Sequence, residues 1–229
     1  MNSNQRNPAT SSGTKPLLKW AGGKSQMLKF LLEAMPLRFN SYIEPFIGGG
    51  ALYFHLAYKP SIISDSNTEL ISFYRTVSTN PIAVHSALES MENTEEFFYK
   101  LRSKKWEELE PVHAAARTLF LNKTCFNGLY RVNKKGQFNV PYGRYKRVAL
   151  PNLETLLQIS QTLSNTKILQ GDYLEVLKQN ATPEDFVFLD PPYIPVSQFS
   201  DFKRYTKEQF YEKDQISLAN LVNKLSKKG

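Results

Sequence analysis

Short apolar runs, each carrying a carboxylate at or near its end and most followed by a helical pattern, constrain this chain more than any other feature. Tyr42-Ile43-Glu44-Pro45-Phe46, Ser61-Ile62-Ile63-Ser64-Asp65 and Phe186-Val187-Phe188-Leu189-Asp190 have the length and content of strands buried on both faces. Lys167-Ile168-Leu169-Gln170-Gly171-Asp172 is a fourth, shorter candidate. Helical patterns follow at residues 51–57 and 173–179. Strands alternating with helices predict a doubly wound α/β sheet, in which ligands sit beyond the carboxyl ends of the strands. The acidic strand ends therefore converge on one cleft.

The alternation stops between about Thr68 and Pro151. Apolar spacing there, as in Phe97 and Leu101 and then Leu119 and Leu121, predicts helices. Within this insert, residues 128–144 carry Asn133-Lys134-Lys135-Gly136 between two runs with aromatic and β-branched residues, a turn signal for a β-hairpin. The expected organisation is a tail over residues 1–14, an α/β unit over 15–67 and 152–229, and an inserted unit over 68–151. Residues 208–225 predict one more helix before Lys227-Lys228-Gly229. Such a helix is usually followed by another strand, so strands that complete the sheet are expected to be missing.

The chain has 229 residues, 41% of them hydrophobic, enough for one sizeable core with a smaller insert. No run approaches the ~18 apolar residues of a membrane helix, and residues 1–14 lack an apolar leader segment. A cytoplasmic protein with a disordered start is the expectation. A single cysteine, Cys125, excludes an internal disulfide and argues against a cysteine-rich zinc site. It is expected to be a buried small residue. The net charge of +8 favours a polyanionic partner. Seven basic residues between Lys123 and Arg147 (Lys123, Arg131, Lys134, Lys135, Arg144, Lys146 and Arg147), with no Asp or Glu among them, mark the face that would meet phosphates.

Three motifs carry chemistry. Phe46-Ile47-Gly48-Gly49-Gly50 follows a predicted strand and opens a predicted helix, where glycines let backbone approach a ligand. Tyr53 stands where the dinucleotide fingerprint requires glycine or alanine, which disfavours a nicotinamide cofactor and leaves a tight turn or another nucleoside ligand. Asp65, at the end of the next strand, is placed to accept from ribose hydroxyls and favours the nucleoside. Lys19-Trp20-Ala21-Gly22-Gly23-Lys24-Ser25 resembles part of a phosphate-binding loop, but Leu18 replaces the required first glycine. Lys24 and Trp20 are left as a partner for a carboxylate and an apolar wall, or as surface and packing residues. In Asp190-Pro191-Pro192-Tyr193, the prolines stiffen the chain and donate no backbone hydrogen bond. The Asp190 carboxylate and Pro191 carbonyl could accept both hydrogens of an exocyclic amine, with Tyr193 as a stacking ring for an extruded base. A proline-capped strand is the alternative.

In this order the motifs resemble the family of DNA adenine methyltransferases to which the bacterial GATC-methylating enzymes belong. The resemblance covers nearly the whole chain and rests on Lys19-Trp20-Ala21-Gly22-Gly23-Lys24, Glu44 to Gly50, Asp65 with Asn67, Phe126 to Arg131, Phe138 to Lys146 and Asp190 to Tyr193. It implies a Rossmann-like methyltransferase sheet with an inserted helical and β-hairpin recognition domain. It also implies S-adenosylmethionine as methyl donor, held by Trp20, Lys24, Pro45, Phe46, Gly48, Gly50, Asp65, Asp172 and Asp190, with Lys24 facing its carboxylate and Asp65 its ribose. Catalysis falls to Asp190, Pro191, Pro192 and Tyr193, with no metal.

Double-stranded DNA is the implied partner, met by Phe126, Asn127, Leu129, Arg131, Lys134, Lys135, Pro141, Arg144 and Lys146. Arg131 would pair with guanine and Phe126 would wedge into the duplex, although Phe126 and Leu129 equally suit the core of the insert. Phe126 stands where a tyrosine is common in the family. Other amine substrates (cytosine, RNA adenine, a protein amide) and a catalytically inert DNA-binding module are the competing readings. Whether a cognate restriction endonuclease shares the site is open.

Overall fold

The computed structural model describes residues 13–192 and 210–227. Its centre is a parallel four-stranded sheet made of β1 (Tyr42–Glu44), β2 (Ser61–Asp65), β3 (Thr166–Gln170) and β4 (Phe186–Val187), in the order β3-β2-β1-β4. The chain steps outward from β1 to β2 to β3, then returns to pair β4 with the other side of β1. Strand order reverses between β1 and β4, and a crevice opens there at the carboxyl ends. This is the expected doubly wound architecture.

Strand lengths differ from expectation for local reasons. The first run stops pairing at Glu44, because Pro45 has no N–H to give the ladder. The run considered shortest forms five residues of strand, paired along its length with β2. The run ending in Asp190 pairs only through Phe186 and Val187, after which the Phe188 N–H still reaches the Ile43 carbonyl at 2.9 Å. Asp190 therefore stands beyond the ladder, at its mouth.

Alternation along β1 divides the core. Tyr42 and Glu44 face the larger apolar cluster, with α1 (Leu28–Ala34), α2 (Ala51–Leu56), α3 (Thr68–Thr79) and α7 (Leu153–Leu163) on that side. Ile43 faces the opposite side, with Leu177 of α8 (Tyr173–Asn180) and Leu221 of α9 (Glu212–Ser226). The α9 start at Glu212 is four residues later than the sequence pattern, and residues 208–209 lie outside the described residues.

Between β2 and α7 come α3, α4 (Pro81–Glu89), α5 (Glu95–Ser103) and α6 (Pro111–Thr124). Side-chain caps start several helices: Asn67 accepts from the Leu70 N–H, Thr94 from Phe97 and Asn152 from Thr155. Proline begins α4 and α6, where a missing N–H costs nothing. Helix α3 touches both the strands and α6, so the apolar core runs without a break from the sheet into the helices. Beyond α6 the predicted turn forms, with the Gly136 N–H bonded to the Asn133 carbonyl at 2.9 Å and Gly136 at φ 78°. Isolated antiparallel bridges, Val132 with Phe138 and Cys125 with Tyr142, replace a continuous hairpin ladder. Cys125 is buried, and burial pushes its thiol up to about 12.

Candidate active site

The turn from β1 into α2 is fixed by its neighbours. The Ile47 N–H bonds the Ser64 carbonyl at 2.9 Å. Gly48 is held at both backbone groups: its N–H reaches Asp65 Oδ2 at 3.1 Å, and its carbonyl accepts from the Tyr74 hydroxyl at 2.7 Å. Gly48 has φ 44° and Gly50 φ 69°, conformations that cost residues with a Cβ. A Cβ on Gly48 would also lie 2.8 Å from Cδ1 of the Trp20 indole. The turn thus requires glycine twice over.

Asp65 accepts with its second oxygen from the Asn67 N–H at 2.9 Å, so it organises the turn whatever else it binds. Burial raises its carboxyl to about 6 against these bonds. Glu44, beneath the crevice at 3% exposure, is raised further, to about 8, chiefly by burial and then by the nearby Asp190 and Asp65 charges. Its Oε2 accepts from the Tyr42 hydroxyl at 2.6 Å, and the same burial pushes Tyr42 well up.

At the crevice, Lys24 Nζ donates to Asp190 Oδ2 at 2.5 Å and to the Gly22 carbonyl at 2.8 Å. This pair joins the second and third sequence motifs. Beside it a cavity of about 690 Å³ is bounded by Lys24, Asp190, Pro191 and Pro192 on one side and by α9 residues such as Gln215 and Asn223 on the other. Tyr193 lies outside the described residues. Pro45 is buried, and the Phe46 ring packs at 5.0 Å from Tyr173 and 5.9 Å from Phe210. Asp172 caps α8, accepting from the Leu174 N–H at 2.8 Å. Among the described residues, no cluster of His, Cys, Asp and Glu is arranged to hold a metal ion.

The loop after α6 forms a second surface. Phe126 is 51% exposed and Leu129 36% exposed, whereas Tyr130, Val132 and Phe138 are buried. The turn at Phe126–Gly128, with Asn127 at positive φ, thus leaves Phe126 and Leu129 facing outward, against the core alternative. Asn127 has φ 57° and gives its N–H to the Tyr145 hydroxyl at 2.9 Å. The Pro141 carbonyl receives the Phe126 N–H at 2.9 Å, fastening the two sides of the loop. Arg131 is held by Asn139, with Nε on Oδ1 at 2.8 Å and a second nitrogen on the carbonyl at 3.3 Å. Lys134, Lys135 and Lys146 are exposed, and Arg144, at φ 54°, pairs with Glu95 at 3.2 Å.

Sequence inspection missed the residues that join the two surfaces. The buried Asn122 amide accepts from the Lys19 N–H at 2.8 Å and donates to the Lys19 carbonyl at 2.9 Å and the Gly128 carbonyl at 3.3 Å. Glu69, Arg117 and Thr118 form a buried polar cluster under Tyr130. Burial, and then the charge of Lys19, lower the ammonium pKa of Lys123. An amide directly after the apolar run Leu119-Phe120-Leu121, as Asn122 is, was the available signal.

Comparisons with known proteins identify the family. The family model of the D12 class N6 adenine-specific DNA methyltransferases matches residues 20–229. A type II methyltransferase of Methanocaldococcus jannaschii, M.MjaIII, is 43% identical over 94% of this chain and 81% of its own. The Lactococcus lactis type II methyltransferase M1.LlaDCHI is also 43% identical, over 94% of this chain and 78% of its own. A DNA adenine methylase of Serratia marcescens is 34% identical over 93% of this chain and 79% of its own. With an α/β sheet, a crevice at its strand-order reversal and this match over most of its length, the chain belongs to the D12 class of N6 adenine-specific DNA methyltransferases.

Proposed function

We propose that this enzyme transfers a methyl group from S-adenosylmethionine to the exocyclic nitrogen of adenine in double-stranded DNA, within GATC. The Lys24–Asp190 pair at the strand-order reversal carries this reading. A lysine and an aspartate side by side complement the carboxylate and ammonium of an amino-acid moiety. The positive-φ glycine turn helps fix Asp65, whose carboxylate takes the Gly48 N–H on one oxygen and the Asn67 N–H on the other and is read here as the acceptor for ribose hydroxyls. These residues fit the donor, with Trp20, Pro45 and Phe46 as apolar walls and Asp172 at the rim.

When bound, S-adenosylmethionine supplies an electrophilic methyl group. The chain's own part is to orient the amine. The Asp190 carboxylate and Pro191 carbonyl accept its two hydrogens and direct the lone pair outward, while Pro191 and Pro192 keep that edge rigid. Tyr193 is proposed as the stacking partner of the extruded base. Residues 68–151 form the target-recognition unit: Phe126 wedges into the duplex, and Asn127, Leu129, Arg131 and Pro141 meet the bases. Lys134, Lys135, Arg144 and Lys146 meet phosphates. Asn139 holds the Arg131 guanidinium, which supports its reading as the guanine contact. A cytoplasmic location and a cognate restriction endonuclease complete the proposal; the type II methyltransferase names of its relatives favour the second alone.

The test incubates the protein with unmethylated duplex and labelled S-adenosylmethionine, then digests with nucleases that distinguish methylated from unmethylated GATC. Label in adenine with GATC protection is expected. Label in adenine without that protection would overturn the target sequence, and no label would overturn the activity.

A further inference from the structure

Trp20 does not stand alone at the crevice. Its indole stacks on the Tyr130 ring with centroids 4.6 Å apart and planes 19° apart, and its Cδ1–Nε1 edge abuts Gly48. Tyr130 is itself held from beneath. Its hydroxyl donates to Glu69 Oε2 at 2.7 Å, while Glu69 Oε1 accepts from Arg117 at 2.9 Å and from the Thr118 hydroxyl at 2.8 Å. Arg117 is further fixed by the Leu101 and Arg102 carbonyls, each at 3.3 Å. Glu69 is 6% and Arg117 3% exposed, so this ion pair is screened little and its geometry is tightly held.

We propose that Tyr130 is a positioning residue of the cofactor pocket: it holds the Trp20 indole against the glycine turn, taking its own place from the buried Glu69–Arg117 pair. The inference rests on the cofactor reading of Trp20. The flat ring on one side and the Gly48 backbone on the other leave the indole little room to rotate. An aliphatic side chain at 130 would fill volume without fixing the indole plane. Because Tyr130 immediately precedes Arg131, the same stack ties the loop after α6 to the cofactor wall.

The test compares Tyr130→Phe with Tyr130→Leu in the full chain carrying Trp106→Phe, which leaves Trp20 as its remaining tryptophan. Both variants lose the bond to Glu69, so both should melt earlier; Phe alone keeps the stack. Tyr130→Met is a second ringless variant should Leu not fold. Without any ligand, Trp20 emission should shift and become more quenchable in the ringless variant and stay near the parent in Phe. By calorimetry the ringless variant should bind S-adenosylmethionine about fivefold more weakly than Phe, the fold-change expected for a lost aromatic pair. KM for the donor should rise with it, while kcat stays within about twofold, as for a lost ground-state contact. Failure of either emission or affinity to separate the ringless variant from Phe would overturn the role of Tyr130. A fall in kcat matching the fall in stability, with KM unchanged, would do the same. A parent chain that binds no S-adenosylmethionine sinks the functional reading and this inference with it. A parent that binds it no more tightly than the ringless variant overturns Tyr130 alone.

Discussion

Lys24 and Asp190, 166 residues apart in sequence, meet at 2.5 Å across the mouth of the crevice. The pair turns two separate motifs into one site and makes Asp190 the natural first target. Asp190→Ala should cut methyl transfer by about 10²–10³-fold, the usual loss for one preorganised polar contact in a reaction centre. Duplex affinity should hold, because phosphate contacts elsewhere supply most of it. Labelled-transfer and gel-shift measurements on the same preparation decide the point, and equal loss of both would mean a structural role.

Glu44 predicts a pH dependence of stability. Its folded pKa is raised from 4.5 to about 8, so between those values the folded state keeps a proton the unfolded state releases. Stability from this group is fully present below the unfolded pKa and is lost as pH rises through about 8. Asp65 acts in the same sense over the lower window from 3.8 to about 6. Denaturant melts of Glu44→Gln should therefore show a flatter loss between pH 5 and 8 than the parent, keeping the Asp65 component. Parallel curves would remove Glu44 from the account.

Gly48→Ala tests the cradle. The new methyl group meets the Trp20 indole and the backbone sits at φ 44°, so a destabilisation of about 1–3 kcal/mol is expected. Weaker S-adenosylmethionine binding should accompany it. Unchanged melting with unchanged affinity would mean that Trp20 and the turn are free to separate.

The recognition loop predicts a division of labour. Arg131→Ala should relax preference at one base pair by about 1–3 kcal/mol. Lys134→Ala and Lys135→Ala should each lower the salt dependence of binding by about one counterion, with preference unchanged. Affinities for cognate and altered duplexes across a salt series separate the two behaviours, and a preference change in the lysine variants would reverse the assignment.

The sequence by itself determined the alternation of strands and helices, the crevice at their carboxyl ends and the turn at Asn133 to Gly136. These are local matters: apolar runs of strand length, glycines before a helix, a proline that ends a ladder. It also fixed the chemistry of the motifs, since Asp190 with two prolines has acceptors to offer an amine in any fold that exposes it. What it could not set is how far each run would pair. β3 pairs over five residues and β4 over two, because pairing depends on which neighbour the sheet order provides. Nor could it show that Phe126 and Leu129 face outward while Tyr130 faces Trp20, which follows from bonds made by Pro141, Tyr145 and Glu69. Asn122 is the plainest case: an amide in the last turn of a helix, with partners at Lys19 and Gly128. Only tertiary structure brings those backbones within its reach, because a buried polar group must find its hydrogen bonds wherever the fold places them.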